Sequence, residues 1–124
     1  MEASFYKLLF ENDEFAMAVG RVALSSAKLE SAIKSYIDSN GGKYYKKDPL
    51  GKLIENLKKT GKIDRTSLEH LQFILEQRNH FVHRLHSHLS EYPSNEFEVK
   101  KFINRAITLS NDMEFFSKIF FDLT

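Results

Sequence analysis

Apolar residues recur at steps of three and four along most of this chain, in stretches separated by turn-forming residues. The first stretch runs from about Asn12 to Asn40. It puts Phe15, Val19, Val22, Ser26, Leu29, Ile33 and Tyr36 on one stripe. Asn12 or Asp13 is placed to cap its start, and Gly41-Gly42 can take the positive φ that ends a helix. At ~1.5 Å per residue this helix would be roughly 40 Å long, one full side of a bundle. Asp48-Pro49 reads as a cap followed by proline in a first turn, opening a short helix with Leu50, Leu53, Ile54 and Leu57 inward and Gly61 as its stop.

A third helix is expected from near Asp64, whose negative charge suits the positive end of the helix dipole. Its inward stripe is read as Leu68, Leu71, Leu75, Arg78, Val82 and Leu85, an apolar seam with one arginine inside it. Glu91-Tyr92-Pro93-Ser94 reads as a turn, and Asn95 with Glu98 as a capping pair for a last helix. That helix carries Val99, Phe102, Ile103, Ala106, Leu109, Met113, Phe116 and Phe120 on one side. Near its end Phe115, Ile119 and Phe121 widen the apolar face, which calls for a second neighbour; core, a partner strip, or one on each side all fit, with core preferred. No stretch alternates with period two. The expected fold class is all-α: a four-helix-type bundle of three longer helices and a short one, in a single domain over residues 1–124.

The length of 124 residues suffices for one packed core, and 42% hydrophobic with 28% charged residues is ordinary for a globular domain. A net charge of +1 argues against gripping nucleic acid over the whole surface, while leaving room for a local basic site. The absence of cysteine removes disulfides and thiolate metal sites and is compatible with a reducing cytoplasm. The opening Met-Glu-Ala-Ser-Phe-Tyr-Lys lacks the basic-then-apolar pattern of a signal peptide, and no apolar run is long enough to span a bilayer. A cytoplasmic, membrane-free protein is the expectation.

The candidate chemistry lies in Glu76-Gln77-Arg78-Asn79-His80-Phe81-Val82-His83-Arg84-Leu85-His86, late in the third helix. Arginine can hold a phosphate bidentately, and histidine can move a proton near neutral pH. Arg78 and His83 are about 140° apart around an ideal helix, so they do not share a face. Arg78 sits on the seam, while Asn79 and His83, four residues apart, can be neighbours on the polar side. A seam arginine needs a carboxylate or an anion, and Glu30 of the first helix is the candidate partner. The plain alternative for His83 is a surface histidine near a helix C-terminus, where positive charge is favourable.

Arg78-Asn79-His80-Phe81-Val82-His83 resembles the Arg-x(4–6)-His signature of HEPN domains (higher eukaryote and prokaryote nucleotide-binding), and the order of helices fits that family over most of the chain. The resemblance implies a homodimer in which two motifs face one cleft. It also implies a metal-independent endoribonuclease, often a toxin of a toxin–antitoxin pair or an antiviral defence effector. Arg78 and His83 would be the catalytic pair and Asn79 the polar helper. Arg84, His80, His86, Lys46 and Lys47 are the candidate RNA contacts on the residues' own chemistry, not carried over from the family. No cofactor is implied; a cognate antitoxin or regulatory protein is. Some members are controlled by adenylylation of a tyrosine two residues past the histidine, but this chain has Leu85 there. The other reading within the family is a non-catalytic regulator or scaffold, like proteins resembling the mannitol operon repressor, acting through protein partners.

The remaining clusters have plainer readings. His80, His83, His86 and His88 have spacings that can share a metal, but no carboxylate pattern or metalloprotease motif accompanies them, so no metal ligand is assigned. Lys43, Lys46 and Lys47 with Tyr44 and Tyr45 form a basic-aromatic loop. It reads as a solvated loop covering the bundle end, or as a flap stacking on RNA bases.

Overall fold

The computed structural model describes residues 10–87 and 96–124. These residues are helical with no strand among them: α1 (Asp13–Ser39), α2 (Leu50–Lys59), α3 (Arg65–Ser87) and α4 (Glu96–Asp122). None of these helices is long and apolar enough to cross a membrane. The turn expected at Glu91–Ser94, the Asn95 cap and the opening residues lie outside the described set.

The helix ends follow from local chemistry. Asn12 caps α1, its side-chain oxygen accepting from the Phe15 N–H at 3.0 Å. At the other end the Gly42 N–H donates to the Ile37 carbonyl (3.0 Å) and the Gly41 N–H to that of Asp38 (3.4 Å). Gly41 has φ +73°, and this paired arrangement is the Schellman stop that a glycine there permits. α3 is capped by Asp64, whose carboxylate accepts from the Ser67 N–H (3.0 Å) and hydroxyl (2.7 Å). At α2 the expected Asp48 cap does not form. Pro49 occupies the cap position, α2 begins at Leu50, and Asp48 instead accepts from the Tyr45 N–H at 2.8 Å, bracing the preceding loop.

α1 and α4 form the main pair. Phe15 stacks on Phe102 at 5.2 Å, Lys28 donates to Glu114 at 2.7 Å, and Tyr36 meets Phe120 edge-on at 5.4 Å. Both helices advance together through these contacts, so they run parallel. Serines line the seam where the helices come close, and the buried Ser110 and Ser117 hydroxyls donate to the carbonyls of Ala106 and Met113, each at 2.8 Å.

α3 runs against α4. Phe81 near its end stacks on Phe102 at 4.7 Å, and His70 near its start meets Phe116 at 5.1 Å. α2 closes the side, with Gly51 approaching Leu75 of α3. The inward face of α3 is rotated from the one the spacing suggests. Leu71, Ile74 and Phe81 are buried, Leu75 and Leu85 are partly buried, and Val82 is exposed. A stripe through 71, 74, 78, 81 and 85 keeps the three-four rhythm equally well, and the phenyl ring of Phe81 fills the gap beside Phe102 that valine would leave.

Candidate functional site

The stack Phe15–Phe102–Phe81 fixes where the candidate motif sits, because Phe81 lies inside it. The motif is therefore beside the start of α1 and the start of α4. Arg78 is three residues before Phe81 and keeps to the same seam, half-buried. Its Nε is buried and has no hydrogen-bond acceptor, the one such side-chain atom among the described residues. Arg78 forms no ion pair there either, and Glu30 does not serve as its partner. A buried polar donor left without a partner costs about 1–3 kcal/mol, so an acceptor for this Nε would be favourable.

His83 and Asn79 are both exposed. His83 follows Ile74 by nine residues, about 180° around the helix, and so points away from the core. No hydrogen bond joins Asn79 to His83. Within one protomer, the structure thus gives a seam guanidinium and a solvent-facing imidazole on the same turns of α3, without bringing the two together.

The other flank of α3 faces a groove of about 1120 Å³ against α4. His80 and Arg84 line it, as do Lys100, Lys101 and Arg105 of α4; Arg78, Asn79 and His83 do not. Its carboxylates are Glu76 and Asp112. Phe73 and Phe97 stand at its edges, 54% and 73% exposed. Spacing along one helix does not show such a groove, because half of its wall belongs to α4. The exposed Phe97 and the basic run at Lys100, Lys101 and Arg105 were the available signals, and they carry weight only once α3 is set opposite.

The remaining predicted contacts divide. His86 takes a backbone position in the last turns of α3, with its side chain outside the described set, and His88 lies outside it altogether. Lys46 and Lys47 are exposed, and the Lys46 carbonyl accepts from Lys34 Nζ at 2.8 Å. Lys34 is roughly 28 Å along the α1 axis from Phe15 at ~1.5 Å per residue, so this loop sits at the opposite end of the bundle from the motif. There Tyr44 donates its hydroxyl to Asp38 at 2.8 Å, which raises the tyrosine pKa above its ordinary value, and Tyr45 is 80% exposed. One tyrosine closes the bundle end and the other stands clear. The phenylalanines late in α4 also divide: Phe116 and Phe120 are core, while Phe115 and Phe121 are exposed.

No group of three or more metal-binding side chains occurs among the described residues. Comparison with protein-family models, with curated proteins and with solved structures returned no match to this chain.

Proposed function

We propose that this chain is a metal-independent endoribonuclease of HEPN type that works as a homodimer, in a toxin–antitoxin or antiviral defence setting in the cytoplasm. The observation that carries the reading is Arg78: a guanidinium on a packed seam that, among the described residues, has no carboxylate paired with it and a buried Nε with no acceptor. Such a group is matched by an anion such as a phosphate. Transfer to the 2′-hydroxyl needs a base for that hydroxyl, an acid for the leaving 5′-oxygen and a cation on the non-bridging oxygens. One protomer supplies one exposed His83, so base and acid together require the His83 of two protomers, with Asn79 orienting or hydrogen bonding the phosphate. The products would be a 2′,3′-cyclic phosphate and a 5′-hydroxyl.

The test is to incubate purified protein with total RNA and a chelator, beside His83→Ala and Arg78→Ala. Cleavage that leaves cyclic phosphate ends and is lost in both variants is the expected result. If His83→Ala cuts as fast as the wild type, the assignment is wrong.

A second reading has its own support. His83 faces solvent on a different side of α3 from Arg78, and the groove against α4 lies on the other flank of that helix. A regulator or scaffold that acts through partners, with a non-catalytic motif, accounts for that placement. Intact RNA after prolonged incubation with a dimeric wild-type protein would favour it.

A further inference from the structure

We propose that the groove between α3 and α4, which His80 lines but Arg78, Asn79 and His83 do not, is a track for single-stranded RNA. The choice of RNA over other polymers rests on the ribonuclease reading; the groove itself does not. Lys100, Lys101 and Arg105 of α4 line it with Arg84 of α3, against Glu76 and Asp112, and Glu98 lies beside Arg84 and Lys101 at its end. The α4 wall thus carries three cations within six positions, a local basic stretch of the kind a polyanion site uses. Three of the cations, Lys100, Lys101 and Arg105, stand on two consecutive turns of α4, so the positive charge forms a line along the groove and not a point. Successive turns rise by ~5.4 Å, within reach of successive phosphates on an extended strand.

The aromatic residues fit the same occupant. Phe97 and Phe73 expose their rings at the rim, while the floor is closed by core side chains including Ile74, Phe81 and Phe102. An exposed phenyl face beside a row of lysines is the usual platform for an unpaired base, which stacks regardless of its sequence. Gln77, Asn104 and Thr108 add side chains that can reach base edges or sugar hydroxyls. A bound apolar helix would have no use for these polar groups in the wall, which favours a polynucleotide over a hydrophobic peptide.

The test uses a fluorescein-labelled 2′-O-methyl oligouridylate of about twelve nucleotides, which has no attacking hydroxyl and cannot be cut by the proposed chemistry. Binding is followed by anisotropy over a salt series. The proposal expects Phe97→Ala to weaken binding at least ~5-fold, given the usual contribution of one stacked base. It expects Lys100→Gln with Lys101→Gln to reduce the salt slope by about 1.4, or ~0.7 for each phosphate that is no longer neutralised. Lys58→Gln with Lys59→Gln removes the same charge from exposed positions on α2 outside the groove and should leave the slope unchanged. All these side chains are exposed, so folding is preserved and circular dichroism confirms it.

Equal loss from both lysine pairs would overturn the proposal, because it would show that net charge alone is read. Binding unaffected by Phe97→Ala would overturn it too, as would a poly-glutamate peptide that binds as tightly with the same dependence on Phe97. The ribonuclease reading fails separately. If unmodified RNA survives intact while the methylated strand still binds through Phe97, the groove stands and the catalytic assignment falls.

Discussion

Phe81 of α3 lies on Phe102 of α4 with ring centroids 4.7 Å apart and planes inclined by 28°. The contact ties the middle of the candidate motif to the start of the last helix, and Phe15 of α1 also stacks on Phe102. Phe81→Ala removes a buried ring from this three-helix junction and should cost about 3–5 kcal/mol. Phe81→Leu fills most of the space and should cost much less. Urea unfolding of both variants checks this. Equal small losses would mean that the ring is not wedged as described.

Arg78 gives an opposite expectation. Its buried Nε has no acceptor, so methionine at this position keeps an unbranched apolar stem on the seam and removes an unmatched donor. Arg78→Met should unfold at a urea concentration equal to or above that of the wild type. On the proposed ribonuclease reading, RNA cleavage should fall by about 10²-fold or more, because the cation assigned to the phosphate is removed. A strongly destabilised Arg78→Met would instead mark the arginine as a structural ion-pair partner.

Asp64 links stability to pH. Hydrogen bonds from the Ser67 hydroxyl, then from the Ser67 N–H, hold its carboxyl below the usual value of 3.8. The folded state prefers the ionised form, so this stabilisation is present above the unfolded value and is lost as pH falls through the lowered folded one. Asp64→Ala should therefore melt below the wild type near neutral pH, and the gap should narrow steadily below about pH 3.8. Thermal melts across an acid series measure it; a gap constant with pH would show that the ionised carboxylate is not what caps α3.

The Lys28–Glu114 bridge between α1 and α4 is short at 2.7 Å, but its side chains are 50% and 45% exposed. Solvent screening limits such pairs to roughly 0.2–1 kcal/mol. A double-mutant cycle should return a coupling in that range that shrinks at high salt. The parallel pairing of α1 and α4 should survive loss of the bridge, because Phe15, Leu29 and Ile33 on one helix and Phe102, Met113 and Phe120 on the other are buried.

The helices were legible because their signals are local: Asn12, Asp64, Gly41 and Gly61 act on backbone groups within a few residues. Which side of α3 faces inward was legible only in part. Leu71, Arg78 and Leu85 belong to two overlapping stripes, one continued by Leu75 and Val82 and the other by Ile74 and Phe81. Spacing cannot choose between them. The choice is made by Phe102, which offers a ring for Phe81 to stack on. At the candidate site, Arg78 could be placed on the seam from its spacing. That no carboxylate among the described residues pairs with it could not, since that depends on what α1 and α4 bring near it. Asp48 misled for a simpler reason: a carboxylate before proline suits a helix start, but the Tyr45 N–H took it first.

The bridge from Lys28 to Glu114 spans 86 positions of chain, as do its aromatic neighbours within a few residues. During synthesis α1 therefore emerges with its apolar side bare and waits for α4 before it can be covered. Closing so distant a pairing is slow relative to forming the helices themselves. Nascent chains stalled before Phe116 should be open to protease and to holding chaperones, and whatever the folded bundle does waits until its last helix is translated.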